Sequence, residues 1–327
     1  MPDKKILRKI LIILIKTIVI AGAYYFVFKK IYNSPDLENI KYYFSDMGLF
    51  MYITLFLIII LMFLNWSIES VKWKVLVDTL ENISFINSFK AIWTGITVGI
   101  VTPNRVGEFG GRILFLKKES RLKATSLTLY GDLSQFIVTI IFGIMGFYLI
   151  SSNILFYNSE VKQFEQFIWG LAAIVIVITL FFYFNINFCL NKLNNVKKLK
   201  NISEKFTPDR EISFNLKIKT ILFSIIRYIT FSVQFYLALL LFGVEISIID
   251  SLIATSSIYL SLNIIPNIPF AEIGLRSSFA VIFLGFYTDK ITAVVLASLL
   301  IYIINVGIPT LIGGLFLLKK KRITQEA

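Results

Sequence analysis

Two short stretches hold the residue types that could do chemistry. From Pro103 the chain reads Pro-Asn-Arg-Val-Gly-Glu-Phe-Gly-Gly-Arg, ending at Arg112, and from Pro266 it reads Pro-Asn-Ile-Pro-Phe-Ala-Glu-Ile-Gly-Leu-Arg, ending at Arg276. Each contains Glu-x-Gly-x-Arg: Glu108, Gly110 and Arg112 in the first, Glu272, Gly274 and Arg276 in the second. Glutamate four residues before arginine is the favourable order for an ion pair on one helix face. Alternatively the two arginines, beside the free N–H groups of a half-helix start, receive an anion such as a phosphate. The residue types leave both uses open, and Glu108, Glu272, Asn104 and Arg105 join the two arginines as candidate contacts to such a bound group. Other candidates are sparse. Asp132 and Arg227 interrupt apolar runs about 15 and about 13 Å from the same side by helical rise, depths at which they can pair. Asn305, beside Gly307 and Pro309, either lines a path or marks a kink. Histidine is absent and Cys189 is alone. Zinc chemistry, a Ser–His or Cys–His nucleophile and an intramolecular disulfide are thereby excluded. No catalytic residue, metal or cofactor is expected.

The two stretches repeat in context as well as in content. Ser88 to Pro103 and Ser251 to Pro266 are runs of apolar and small residues of the same length, and the prolines lie 163 apart, about half of the 327-residue chain. Self-similarity at a fixed offset dictates architecture. Hydrophobic residues make up 57% of the chain and charged residues only 16%, against about a quarter charged in a soluble domain. Apolar segments fall at 10–28, 49–68, 87–102, 122–150, 167–190, 218–243, 247–265 and 290–317. Runs of 18 or more residues almost free of charge are membrane spans. The net charge of +13 sits at the ends of these runs, so it belongs to membrane loops and nucleic acid is not an expected partner. Ala21-Gly22-Ala23 has the small residues of a cleavage site, but the apolar run continues to Phe28 and Lys29-Lys30 follow, so an uncleaved first helix is expected.

The apolar pieces after Arg112 and Arg276 are too short to span, so each looks like the returning arm of a re-entrant hairpin, over 87–118 and 247–287. With both hairpins re-entrant and the N-terminus inside, 23 of the 33 Lys and Arg residues fall on the inner face and 5 outside. If 87–102 crossed completely, twelve would move to the wrong face, against the positive-inside rule. The expected fold is therefore an all-α polytopic membrane domain spanning 1–327. Six full spans and two re-entrant hairpins form an inverted-topology repeat with halves 1–160 and 161–327 and both termini cytoplasmic, in a bacterial-type plasma (inner) membrane. The stretch from Val71 to Ile83, with Trp73 and Leu76 among charges, is expected on the inner surface. An interfacial piece is expected near 151–166, where Phe156 and Tyr157 lie. Pro103, Pro266 and Pro269 break the helices, while Gly107, Gly110 and Gly274 permit the turns. Charged groups brought to membrane depth are costly, about 2.5–3.5 kcal/mol each, and are usually paired and functional.

With these residues placed, the chain resembles the membrane domain of bacterial lysylphosphatidylglycerol synthases and the stand-alone flippase-like membrane proteins related to it. Trp73-Lys74-Val75-Leu76, Thr102-Pro103 with Gly107-Glu108 and Arg112, Asp132, and Ile265-Pro266…Pro269…Gly274-Leu275-Arg276 carry the resemblance, which covers nearly the whole chain. Two departures are visible. The family's second hairpin commonly reads Gly-Gly-x-Gly-x-Arg-Glu, whereas here Glu272 precedes Arg276 and Ser277 follows it. The synthases also carry a cytosolic transferase domain that uses aminoacyl-tRNA. This chain ends at Ala327, soon after its last apolar run, and is not expected to make that reaction. The resemblance implies movement of a phospholipid or polyprenyl-linked lipid between leaflets. Membrane lipids are the expected partners, and self-association stays open. A lipid flippase or scramblase, a membrane-embedded transferase acting on a lipid-linked donor, and a structural scaffold are the three function classes that remain.

Overall fold

The computed structural model describes residues 24–33, 48–154, 159–194, 200–265 and 271–326. Every regular element among them is helical. After a helical piece at 24–32 come α1 (Leu49–Val77), α2 (Phe85–Ile100), α3 (Gly107–Ile113) and α4 (Arg121–Ile154). They are followed by α5 (Ser159–Phe184), α6 (Ile186–Asn194) and α7 (Lys200–Phe206). The chain then forms α8 (Phe214–Leu241), α9 (Ile248–Ile264), α10 (Ala271–Leu284) and α11 (Ile291–Tyr302). A π turn (Ile303–Gly307) joins α11 to α12 (Ile308–Glu326).

Among the described residues, four helical stretches are long and apolar enough to cross a membrane: Leu49–Val77, Lys118–Ser152, Phe214–Leu241 and Ile291–Lys319. A fifth candidate, Trp169–Phe184 with Ile186–Lys192, is bent by 70° at the break, where the sequence suggests an unbroken span over 167–190. Most of the expected first span, with Lys16, lies outside the described residues, as do Phe156, Tyr157, Pro266 and Pro269. About 20 residues cross a 30 Å hydrocarbon layer, so the 16 residues of α2 and the 7 of α3 are each too short to do so.

Serine caps start the short helices and the helix before the second of them. Ser84 accepts from the Asn87 N–H at 3.3 Å, Ser213 from Leu216 at 3.3 Å, and Ser247 from Asp250 at 3.1 Å. Each satisfies an N–H that the first turn leaves without a helical partner. α2 turns back into α3, and the two touch where Gly111 meets Gly95: a Cβ on Gly111 would come within 2.7 Å of the Gly95 α-carbon. α1 lies against α8, α2 against α12, and α9 against both α10 and α4. Thr97 of α2 donates to the Thr310 carbonyl of α12 at 2.8 Å.

One expectation fails at the end of α1. The stretch from Val71 to Ile83 does not lie on a surface, because α1 continues through Val77 with Lys72, Trp73 and Leu76 buried. The Trp73 indole donates to Thr128 Oγ1 at 2.9 Å. Lys72 Nζ is held by Glu69 at 2.8 Å and the Gly131 carbonyl at 3.2 Å. These partners, distant in sequence apart from Glu69, make burial of an ammonium tolerable, and Lys72 leaves the tally of inner-face charges.

Candidate functional site

The first Pro-Asn stretch forms a tight turn between α2 and α3. Thr102 organises it: its hydroxyl donates to the Gly99 carbonyl at 2.9 Å and accepts from the Gly107 N–H at 2.8 Å. Gly107 is required there, because a Cβ would fall 2.6 Å from the Val98 carbonyl oxygen. Asn104 and Arg105 both take left-handed backbone angles, with φ of 52° and 53°. Asparagine tolerates that region, but for arginine it costs about 1–2 kcal/mol, so something must hold Arg105. Its guanidinium grips both oxygens of Glu272 on α10, at 2.8 and 2.9 Å. The two repeated motifs are thus clasped to each other. Gly110 and Gly274 play no part in a turn. Both lie inside helices, and Gly110 faces open space while Gly274 is buried in α10.

Both Glu–Arg pairs form as their spacing predicts, Glu108–Arg112 at 2.7 Å and Glu272–Arg276 at 3.1 Å. The Asp132–Arg227 pair does not form. Arg112 also reaches Asp132 at 3.6 Å, and Arg227 turns instead to Glu69 at 3.0 Å and to the Asn65 side-chain oxygen at 3.2 Å. Glu69 is the hub that sequence reasoning missed. It is buried on α1 and meets three cations: Lys72 at 2.8 Å, Arg227 at 3.0 Å and Arg112 at 3.2 Å. Glu69, Glu108 and Asp132 therefore balance Lys72, Arg112 and Arg227. The neighbouring group does not balance: Arg105 and Arg276 share Glu272, leaving one positive charge in excess among these residues.

Asn305 belongs to the structural frame. Pro309 has no N–H to offer four residues back, so the Asn305 carbonyl accepts from the Trp66 indole at 3.2 Å. Its side chain donates to Gln234 at 2.8 Å, and Gln234 donates to the Ile58 carbonyl at 2.8 Å. Trp66 also presents its ring to the Arg227 guanidinium, 4.9 Å from the centroid.

Beside these groups lies a polar cavity of about 170 Å³, whose lining includes Asn65, Gln135, Arg227, Tyr259, Asn263 and Arg276. Arg227 stands near the middle of the 28-residue α8, and so at mid-depth of that span. Among the described residues, Asn65 Nδ2, Tyr259 Oη and Arg276 Nε are buried without a protein hydrogen-bond partner, as is the Gln135 side-chain oxygen. Buried polar groups ordinarily find partners, and each exception calls for an explanation. Here two arginines and two further donors, Asn65 Nδ2 and Tyr259 Oη, converge on one space, a set suited to an anion of phosphate size. Of the two motif arginines, Arg276 lines this cavity, whereas Arg112 is held by Glu69, Glu108 and Asp132. Arg227, read as an ion-pair residue, lines the cavity. Among the described residues no cluster of side chains suits a metal ion.

No curated protein and no solved structure matches this chain. The family described as "Lysylphosphatidylglycerol synthase TM region" matches over residues 13–313, which include both Pro-Asn stretches, the Glu69 hub and the cavity. With nearly its whole length so matched, the chain belongs to the lysylphosphatidylglycerol synthase transmembrane-region family.

Proposed function

We propose that this membrane protein moves a lipid with an anionic head group between leaflets, making and breaking no covalent bond. The head group's phosphate passes through the cavity between Arg227 and Arg276. One observation carries this reading: a charge-rich cavity at mid-depth of the helical bundle holds Arg227 and Arg276 together with the buried Asn65 Nδ2 and Tyr259 Oη, which have no protein partner among the described residues, beside a group of charges that sums to one positive in excess. Charge inside a bilayer is expensive and is most often retained for passage or binding. In this reading α2–α3 and α9–α10 are re-entrant hairpins that enter from opposite faces, and the halves are related by an axis in the membrane plane. The reciprocal packing supports that symmetry, since α1 meets its counterpart α8, α2 meets α12, and α9 meets α4. The concentration of Lys and Arg between 117 and 123 and between 192 and 219 supports an inner-membrane orientation with both termini cytoplasmic. The family's namesake region belongs to an enzyme named for a phospholipid, which agrees with an anionic lipid as cargo.

The test is leaflet exchange of a fluorescent phosphatidylglycerol in vesicles containing the purified protein. Arg276→Gln and Arg227→Gln should each slow exchange at least tenfold, while both variants retain the wild-type elution profile in detergent. Wild-type exchange in both variants would remove the cavity from the path. A covalent product from a labelled lipid-linked donor, without exchange, would instead establish a transferase.

A further inference from the structure

A second cavity touches the first. It is an almost wholly apolar cleft of about 260 Å³ between α4, α8 and α9, walled by Met145 and Leu149, Ile229 and Val233, and Ile249 and Leu252. Tyr228 lines both spaces. Its ring stacks on Phe142 with centroids 4.8 Å apart, and its hydroxyl donates to Ser256 Oγ at 2.8 Å, so the tyrosine is fixed as a wall between them. Met145, Ile229 and Ile249 are exposed, and the cleft therefore opens on the surface that hydrocarbon wets. Along α9 it extends from Ser256 to Ile249, about 10 Å of helical rise, towards the end of the bundle that holds the 243–247 loop.

The geometry points to this cleft as the seat of one hydrocarbon chain of the lipid whose head group occupies the polar cavity. The inference rests on the function proposed above and adds the part of the ligand recognised. An α-helix of a partner protein, about 10 Å across with its side chains, is too wide for so small a space, whereas a methylene chain is not. The shared wall supplies the continuity: a lipid at Tyr228 has phosphate-binding groups on one side and apolar surface on the other. Such a lipid keeps both its ends in matching surroundings while it is held at mid-depth. Acyl and isoprenyl chains offer the same chemistry to these side chains, and the experiment tells them apart.

The experiment is photocrosslinking in vesicles. One probe is a phosphatidylglycerol with a diazirine at the end of one acyl chain, and the other is a polyprenyl phosphate carrying the same group. The expected adducts fall on Ser232, Leu252 or Ser256. Ser232 and Ser256 are buried and so sheltered from bulk lipid. Labelling should saturate, should be displaced by excess unlabelled lipid, and the probe that labels names the chain. Ser232→Phe, which fills the cleft from within, and Met145→Trp, which blocks its mouth from an exposed position, should each reduce labelling at least fivefold. Adducts confined to exposed positions and rising in proportion to probe overturn the inference, as does labelling unchanged in both variants. Arg276→Gln separates the two claims. Saturable cleft labelling that survives in it alongside normal exchange upholds the chain site and sinks the head-group reading. Loss of exchange in Arg276→Gln, with no saturable labelling of the wild type, sinks the chain site alone.

Discussion

Glu69→Gln removes the charge at the centre of the network while keeping its shape. Three cations lie within 3.2 Å of this carboxylate, and stripping a buried ion pair of one partner typically costs about 3–5 kcal/mol. The lower end applies, because Arg112 keeps Glu108 at 2.7 Å, Lys72 keeps the Gly131 carbonyl at 3.2 Å and Arg227 keeps Asn65 at 3.2 Å. A loss of about 3 kcal/mol lowers the midpoint of a chain this size by about 6–12 °C, at about 2–4 °C per kcal/mol. Thermal unfolding of the purified protein in detergent, followed through tryptophan fluorescence, reads this directly, since Trp66 and Trp73 stand one turn either side of Glu69. Adding Lys72→Met restores the balance of charge, and the double variant should regain about half of the loss, a non-additivity expected of contacting residues. A shift below about 2 °C for Glu69→Gln, or a double variant as unstable as the sum of the singles, would refute the account of Glu69 as the hub.

The adjacent glycines of α3 should behave oppositely under the same measurement. Gly111→Ala forces a Cβ to within 2.7 Å of Gly95 and should cost about 1–3 kcal/mol by overpacking. Gly110→Ala meets nothing within 4 Å and should stabilise by about 0.5–1 kcal/mol through helix propensity. Asn305→Leu strands the buried Gln234 side-chain oxygen that it now satisfies at 2.8 Å. A loss of about 1–3 kcal/mol is expected, and a midpoint equal to wild type would show that Gln234 finds another donor.

Local features were legible in the sequence to the extent that their partners were local. Glu108–Arg112 and Glu272–Arg276 are one helical turn apart, and both pairs form. The helical membrane class followed from long uncharged runs, and the family from motifs that span the chain. Glu69 stayed hidden because, in sequence, it sits beside Lys72 at the end of an apolar run, where a charge looks like the start of a loop. Its other partners are 43 and 158 residues away. Matching Asp132 to Arg227 by depth failed because depth is one coordinate of three, and the direction in which each helix faces sent them to Arg112 and to Glu69. The clasp between Arg105 and Glu272 joins residues 167 apart, and only the left-handed backbone at Arg105 betrays how firmly it is drawn in. Gly110 misled for a simpler reason: two adjacent glycines near a proline suggest a turn, although here Gly111 serves a helix crossing and Gly110 merely accompanies it.

The π turn at Ile303–Gly307 holds one residue more than the α-helical turn it replaces. That surplus residue swings everything downstream by about 100° around the helix axis. It is therefore a length, and not any side chain, that aims Thr310 at α2. Substitutions can drift through this segment with the rotation preserved, whereas a single-codon deletion would re-aim the whole of α12 at once.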